Sequence, residues 1–490
     1  MTASPATGRP PVVTVVVLSY VDGRRWLLPC LRRVLAQRNL PGGMEVLVVH
    51  NPPDRRDREL DDWAEVREEL RTEEFQRVRV IESPHNGGFA GGHNVGFREV
   101  RTEFVAIVNS DARPEPTWLS ELLAAFDGEE NARLGAAAAK LILLPRFLPL
   151  QLSTPGFVPA RLDPAQSDTR ELGVRVHQVR VDGRDVTAEV DWGPHDDELA
   201  YDEEQVEAER FRWTRPAGTM RVPVDPEGTG SGPARPLHLT LRLAAEAIKP
   251  VGLRWPGGGA EVKTDDGPAS GQPTEVRVEV PAGAELVDLL NNTGSVVDVA
   301  GHGIDRGFRL VDRGQYERAE DVFAFCGAAV CFRTAALVEA GYFDDDFFLY
   351  YEDTDLAWRL GALGWRVRYV PTSVVRHRLS ATLGEKNERR EFHVARNRLL
   401  MLTKNARAGL ARREVLGYLL DTVRWVLRAI AGGERPPVLG LRGRLRVVGS
   451  YLRLLPRMLR RRRELAGRAV VRRRELEARW LVRRDGPPHH

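Results

Sequence analysis

Four short apolar runs rich in β-branched side chains constrain the fold of this chain more than any other feature: Val12–Leu18, Glu45–Val49, Arg77–Ile81 and Phe104–Val108. Val12–Leu18 and Glu45–Val49 read as buried strands, the first covered on both faces, and the other two runs as a third and a fourth strand. Helical periodicity fills the gaps at Arg24–Gln37, Leu60–Arg71 and Asn94–Val100, and returns at Glu115–Phe126. Strand and helix alternating at this pace predict a mostly parallel sheet in a doubly wound α/β domain. Ligands of such sheets bind beyond the carboxyl ends of the strands. Two polar clusters fall at that edge, the Gly-rich loop Asn86–Gly96 and Asn109-Ser110-Asp111.

Between about Pro155 and Ala284 the pattern changes to period-two alternation, as in Gly173–Val181, Leu237–Leu243 and Glu275–Val280, with Pro/Gly-rich turns and an acidic stretch at Asp196–Glu209. An antiparallel, sandwich-like inserted domain follows, whose plainest role is a spacer or interaction module. The predicted organisation is residues 1–154 and 289–405 as two halves of one α/β domain, 155–288 as the insert, and 406–490 as an Arg-rich helical region. The second half carries Gly-rich loops at Asn291–Gly294 and Gly301–Gly307, the buried run Val322–Phe332, and a last strand, Trp365–Val370, leading to His377.

The aromatic run Phe347–Tyr351 leads directly into Glu352-Asp353-Thr354-Asp355, three carboxylates in four residues at the start of an amphipathic helix. Carboxylates are favoured at a helix N-terminus, so a plain acidic first turn is the alternative to a working site. A carboxylate within hydrogen-bond reach of a hydroxyl can take its proton, and clustering raises a carboxyl pKa and strengthens the base. Asp353 is the candidate base, with Glu352 and Asp355 contacting the acceptor or tuning it. Asp111, on a loop at a strand end, suits Mg²⁺ or Mn²⁺ held against a diphosphate, or is a turn aspartate before Pro114. His377 could complete a metal shell, though a single His is more often a surface or core residue. The glycines of Asn86–Gly96 permit close backbone approach to phosphate but fit neither the GxGxxG nor the P-loop template.

In order and spacing, Ser19-Tyr20, NGGFAGGHNVG, NSD, FCGAAVCFR, FDDDFFLYYEDTDLAWRL, GWRVRYVP and HRLSAT resemble the family 2 glycosyltransferases of the GT-A fold, nearest the bacterial rhamnosyltransferase-like and galactofuranosyltransferase-like branch. The match covers about residues 12–145 and 290–405. It implies an inverting, metal-dependent transfer from a nucleotide-diphosphate sugar, dTDP-rhamnose or a UDP-sugar, to a hydroxyl of a cell-envelope glycan or polyprenyl-linked acceptor. It also implies Mg²⁺ or Mn²⁺ at Asp111 and His377, Asp353 as base, and Ser19, Tyr20, Asn51, Asn86, Gly87, Gly91, Asn94, Asn109, Ser110 and Asp111 along the donor. Asn109 replaces the first carboxylate of the family's DxD-like motif, Val49-His50-Asn51 stands where an Asp-Asn pair is usual, and the QxxRW motif of processive synthases is absent, which argues against polymerisation.

Residues 391–490 hold 25 Lys/Arg against 8 Asp/Glu, while the whole chain has a net charge of +3, so an acidic body precedes a basic tail. A basic amphipathic helix suits an anionic leaflet, at roughly 1 kcal/mol per Lys/Arg near the surface; a solvated helical face is the alternative. No stacking or recognition motif supports nucleic acid as the partner. Cys30, Cys326 and Cys331 form no disulfide framework, Met1–Pro10 has no apolar signal-peptide core, and no long apolar run spans a membrane. The expected location is cytoplasmic, with the tail as the route to the inner face of the plasma membrane. A non-catalytic scaffold of an envelope glycan assembly is the rival to the enzyme.

Overall fold

The computed structural model describes residues 11–163, 165–193, 199–206, 209–225, 233, 235–244, 250–263, 273–378, 387–430 and 439–483. Outside them lie the first ten residues, parts of the acidic stretch 196–209, positions 379–382 of the HRLSAT segment and residue 484. The chain divides into two compact units, Met1–Ile142 with Asn291–Gly307 and Tyr316–His490, and Leu143–Leu290 with Phe308–Gln315.

In the first unit, β1 (Pro11–Ser19), β2 (Gly43–His50), β3 (Val78–Glu82) and β4 (Phe104–Val108) pair in parallel, in the order β3-β2-β1-β4. Their side chains divide by parity. Val13, Val15 and Val17 of β1 join Leu27, Leu31 and Val34 of α1 (Leu27–Leu35) in one core, whereas Val16 joins Phe97 of α2 (Gly88–Glu99) in the other. With both faces covered, polar alternation has no place in β1 and β4, whereas β3 at the sheet edge exposes Arg79 and Glu82.

Beyond β4 the sheet is mixed rather than mostly parallel. β5 (Leu134–Leu143), β6 (Glu320–Val322), β7 (Ala329–Arg333) and β8 (Arg366–His377) extend it in the order β4-β7-β5-β8-β6, with β7 antiparallel to both β4 and β5. A run buried on both faces looks the same in either direction, so direction is not legible from its composition. The alanines of β5 favour helix by intrinsic propensity. They form a central strand because Ala136 and Ala138 pack into one core and Ala137 and Ala139 into the other.

The second unit has two antiparallel sheets. One runs in the order Ala200–Val206, Glu209–Thr214, Arg175–Val181, Leu237–Ala244, Thr274–Val280, and the other Ala217–Asp225, Arg146–Ser153, Pro250–Trp255, Gly258–Lys263. Leu239 and Leu241 from the first sheet share a core with Leu148, Leu150 and Leu152 from the second. The unit begins at residue 143, earlier than the expected 155, because Arg146–Ser153 pairs with two of its strands.

The Arg-rich region is not separate from the first unit. After α3 (Glu352–Ala362) come α4 (Glu388–Asn405), α5 (Ala408–Ile430), α6 (Leu441–Arg468) and α7 (Arg473–Trp480). Val447, Tyr451, Leu454, Met458 and Leu465 of α6 share a core with Phe347 and Trp358. The Arg462 guanidinium donates to the Thr403 and Ala406 carbonyls at 2.8 and 2.6 Å, closing the end of α4. Arg462 is anchored within the fold, whereas Arg424, Arg446 and Arg460 are exposed, a division that composition alone does not reveal.

Candidate active site

The aromatic run before α3 is a constrained turn. Phe348, Tyr350 and Tyr351 hold φ of 66°, 68° and 68°, the left-handed region, at roughly 1–2 kcal/mol each for L-residues. Asn397 of α4, fully buried, offsets this by donating to the carbonyls of Phe347, Leu349 and Tyr350 at 2.9, 2.8 and 2.7 Å. Arg396 adds bonds to the Asp346 and Phe347 carbonyls at 2.9 Å each.

The turn delivers Asp353 to the first turn of α3. Its Oδ1 accepts from Thr354 N–H at 2.6 Å and its Oδ2 from Gly327 N–H at 3.3 Å. Burial pushes its carboxyl up to about 6, and the Asp305 charge adds to this against the lowering effect of those hydrogen bonds. Glu352 is pushed well above the carboxylate range by burial and then by the Asp353 charge, and its Oε2 has no hydrogen-bond partner. Asp355 faces the other way. With no exposure, it accepts from Arg359 at 2.9 Å, Lys404 at 2.8 Å and Asn405 at 2.8 Å, so the expectation that it contacts an acceptor gives way to an anchoring position in the core.

At the end of β4, the pairing of His377 with Ala112 sets the imidazole beside Asp111. His377 Nε2 lies 3.4 Å from Asp111 Oδ1 and 3.3 Å from Asn109 Nδ2, while its Nδ1 is 2.8 Å from Asn291 Oδ1. The Asn291 oxygen can only accept, so Nδ1 carries a proton there, and Nε2 is the nitrogen turned toward Asp111. A carboxylate oxygen and an imidazole nitrogen facing one space fit a divalent cation that takes its remaining ligands from diphosphate and water. Among the described residues no three His, Cys, Asp or Glu gather as a metal site.

Asp305 connects the two poles. Its charge acts on both His377 and Asp353, and Asn292 Nδ2 donates to it at 2.6 Å. The side chain keeps solvent access although protein surrounds it, as in an open cleft, and burial raises its carboxyl. Asp305, Asn291 and Asn397 were not singled out by the sequence. Asp305 lies in the Gly301–Gly307 loop, where an acid flanked by glycines was the available signal.

The Gly-rich segment is not a loop. From Gly88 it is already α2, with Gly87 as N-cap and Gly88 at φ 64°, where a Cβ would collide with the Phe348 carbonyl. Gly92 lies so close to Asn51 that a Cβ would stand 2.7 Å from its Nδ2. These glycines bring α2 against the sheet and the turn. Asn86 Oδ1 accepts from Gly88 N–H at 2.9 Å, Asn51 Nδ2 donates to the Gly88 carbonyl at 2.8 Å, and Ser19 O accepts from Asn51 N–H at 2.9 Å. Asn94 points into the protein, donating to the Phe343 carbonyl at 2.8 Å. A Cβ at Gly91 would meet only Asp345 Oδ1, at 3.8 Å, Ser110 is half-buried beside Asp111, and the Tyr20 hydroxyl donates to Asp57 at 2.7 Å, its phenol pushed up to about 12 by burial first.

A family model described as "Glycosyl transferase family 2" matches residues 14–139, and one described as "Glycosyl transferase family group 2" matches residues 295–433, one on each side of the Leu143–Leu290 piece of the second unit. The chain is a family 2 glycosyltransferase. Its first unit is the GT-A sheet, interrupted by the antiparallel unit. The glycosyltransferase is 32% identical over 134 residues to an N-acetylglucosaminyl-diphospho-decaprenol L-rhamnosyltransferase of Mycobacterium tuberculosis, a match spanning 27% of this chain and only 38% of that enzyme. Weaker overlaps exist with GalNAc-T7 crystallised with UDP, GalNAc and Mn²⁺ (TM-score 0.41, 10% identity, 81% of this chain and 48% of that one). A mannosyltransferase of Pyrobaculum calidifontis with GDP-Man and Mn²⁺ overlaps similarly (TM-score 0.37, 13% identity, 94% and 86%). At these scores neither bears on the assignment. Among the described residues, no helix of the glycosyltransferase is long and apolar enough to cross a membrane.

Proposed function

We propose that this glycosyltransferase moves a hexosyl group, with inversion, from a nucleotide-diphosphate sugar to a hydroxyl of a cell-envelope glycan or a diphosphate-linked polyprenyl acceptor. The supporting observation is Asp353, a carboxylate poised at about 6 with Asp305 between it and the Asp111–His377 pair. The acceptor oxygen bonds to the anomeric carbon, its proton passes to Asp353, and the bond to the diphosphate breaks with its electron pair on the leaving group. A Mg²⁺ or Mn²⁺ ion held by Asp111 and His377 would supply charge neutralisation for that diphosphate. The donor is dTDP-rhamnose or a UDP-sugar, in line with the rhamnosyl relative. Asp111→Ala is expected to weaken Mn²⁺-dependent UDP and dTDP binding by about tenfold or more, roughly the worth of one charge-assisted contact. Unchanged binding in calorimetry would refute the assignment of Asp111.

The enzyme works at the inner face of the plasma membrane. α5 exposes Leu416, Leu419, Leu420, Val423 and Leu427, spaced as one helical face, and α6 exposes Leu441, Leu445, Leu452 and Leu459, with arginines on both helices. The protein is expected to sediment with phosphatidylglycerol vesicles at low salt and to leave them at high salt, and Leu420→Glu with Leu427→Glu should weaken the low-salt binding. Salt-independent solubility without vesicle binding would sink this part.

A further inference from the structure

A hollow of about 490 Å³ lies between the turn after β2, the start of α4 and the N-terminal part of α6, lined by Asp54, Arg55, Arg56, Arg389, Phe392 and Arg446 among others. Asp111, His377 and Asp353 do not line it. We infer that this hollow binds the diphosphate of a lipid-linked acceptor, an inference that rests on the acceptor class proposed above.

Four guanidinium groups reach the hollow against two carboxylates, Asp54 and Glu388. Arg389 is matched by Asp54 at 2.8 Å, and Arg446 stands 3.9 Å from Glu388 with both side chains exposed. Arg55 and Arg56 are exposed and make no ion pair among the described residues. Two positive charges are therefore left over, and the planar donor fork of arginine is the group best matched to phosphate oxygens. The N-terminus of α4, an 18-residue helix, opens into the same space through Asn387 and Glu388.

The walls of the hollow serve the rest of such a ligand. Arg389 lies over the Phe348 ring at 5.4 Å, and His393, also in the wall, stacks on that ring at 5.3 Å. Phe348 belongs to the turn that delivers Asp353, so a sugar extending from the diphosphate has a path along the turn toward the base. On the outer side, Arg446 follows Leu445, one of the exposed apolar residues of α6, where a lipid chain would lie.

The test is calorimetric binding of farnesyl diphosphate, farnesol, inorganic diphosphate and Mn²⁺-UDP to the full chain and to Arg55→Ala/Arg56→Ala. The native protein is expected to bind farnesyl diphosphate about tenfold or more tightly than farnesol or inorganic diphosphate. The double variant should lose about tenfold or more of the farnesyl diphosphate affinity and keep its Mn²⁺-UDP affinity. Equal binding by both proteins overturns the inference. Parallel loss of UDP binding would assign the hollow to the donor instead, and inorganic diphosphate binding as tightly as farnesyl diphosphate would leave only a free-anion site. Arg446→Gln, at an exposed position, supplies the same comparison if the double variant does not fold. Nucleotide binding by the native protein separates a failure here from a failure of the glycosyltransferase proposal.

Discussion

Asp353→Asn is expected to abolish sugar transfer while nucleotide binding survives. A positioned base contributes about 10²–10⁴-fold to a proton-transfer step, so turnover should fall by about that factor. The amide keeps the shape of the carboxylate but cannot take the proton. One substituted position must also face a donor, either Thr354 N–H or Gly327 N–H, at a local cost of about 1–3 kcal/mol. An unfolding curve therefore accompanies the kinetics. The native enzyme has an acid limb: below about 6 Asp353 carries the proton and cannot act, above it the carboxylate is free, and the rate rises with pH to a plateau. With Glu352 adjacent, that limb belongs to the pair. Turnover retained in the variant, or a profile flat through pH 6 in the native enzyme, removes Asp353 from the base role.

Lys404→Met should strongly destabilise the core of the first unit. Lys404 is 2% exposed, and its ammonium lies 2.6 Å from Asp344 and 2.7 Å from Asp355. Removing one member of a buried set leaves charge without its counter-ion, at about 3–5 kcal/mol. Arg461 and Arg359 still neutralise part of it, which favours the lower end of that range. Burial alone would raise Asp344, but the Lys404 and Arg461 charges outweigh it and hold the carboxyl down at about 2. A depressed carboxyl contributes stability that is complete above its ordinary 3.8 and is lost as pH falls through about 2, so the gap between native and variant should narrow over that window. Urea unfolding at neutral pH checks the size, and a difference under about 1 kcal/mol would show that the set contributes little to the core.

The sequence showed best what burial on two faces imposes. Val13–Val17 could be nothing but a central strand, and Asp111 and Asp353 stood out because carboxylates beside apolar runs need a reason. Less was legible where one residue type serves two ends. The glycines of Asn86–Gly96 read as a phosphate loop, yet Gly88 and Gly92 are small because Phe348 and Asn51 come close, a tertiary constraint with no local mark. Ala136–Ala139 drew no assignment from the sequence, since alanine favours helix by propensity, and they form a strand whose methyl groups are buried alternately in the two cores. Asp355 shared a motif with Asp353 and was assigned with it, although helix geometry turns the two side chains to different faces. Asp305 and Asn397 reach the site across long separations that no linear spacing encodes.

The second unit is assembled from two pieces of chain, Leu143–Leu290 and Phe308–Gln315. They are laced by Leu290 N–H to the Leu310 carbonyl at 2.8 Å, Asp312 N–H to the Asp288 carbonyl at 2.9 Å and Arg309 to Asp191 at 3.7 Å. Joining residue 142 to 291 would therefore not restore a simpler enzyme, because 308–315 would remain as an orphan ribbon without its partners. A protease nick in the 143–290 stretch would likewise free nothing, since the polypeptide re-enters the unit further on. Trimming this protein to its catalytic sheet therefore takes two excisions, one at each piece of the unit.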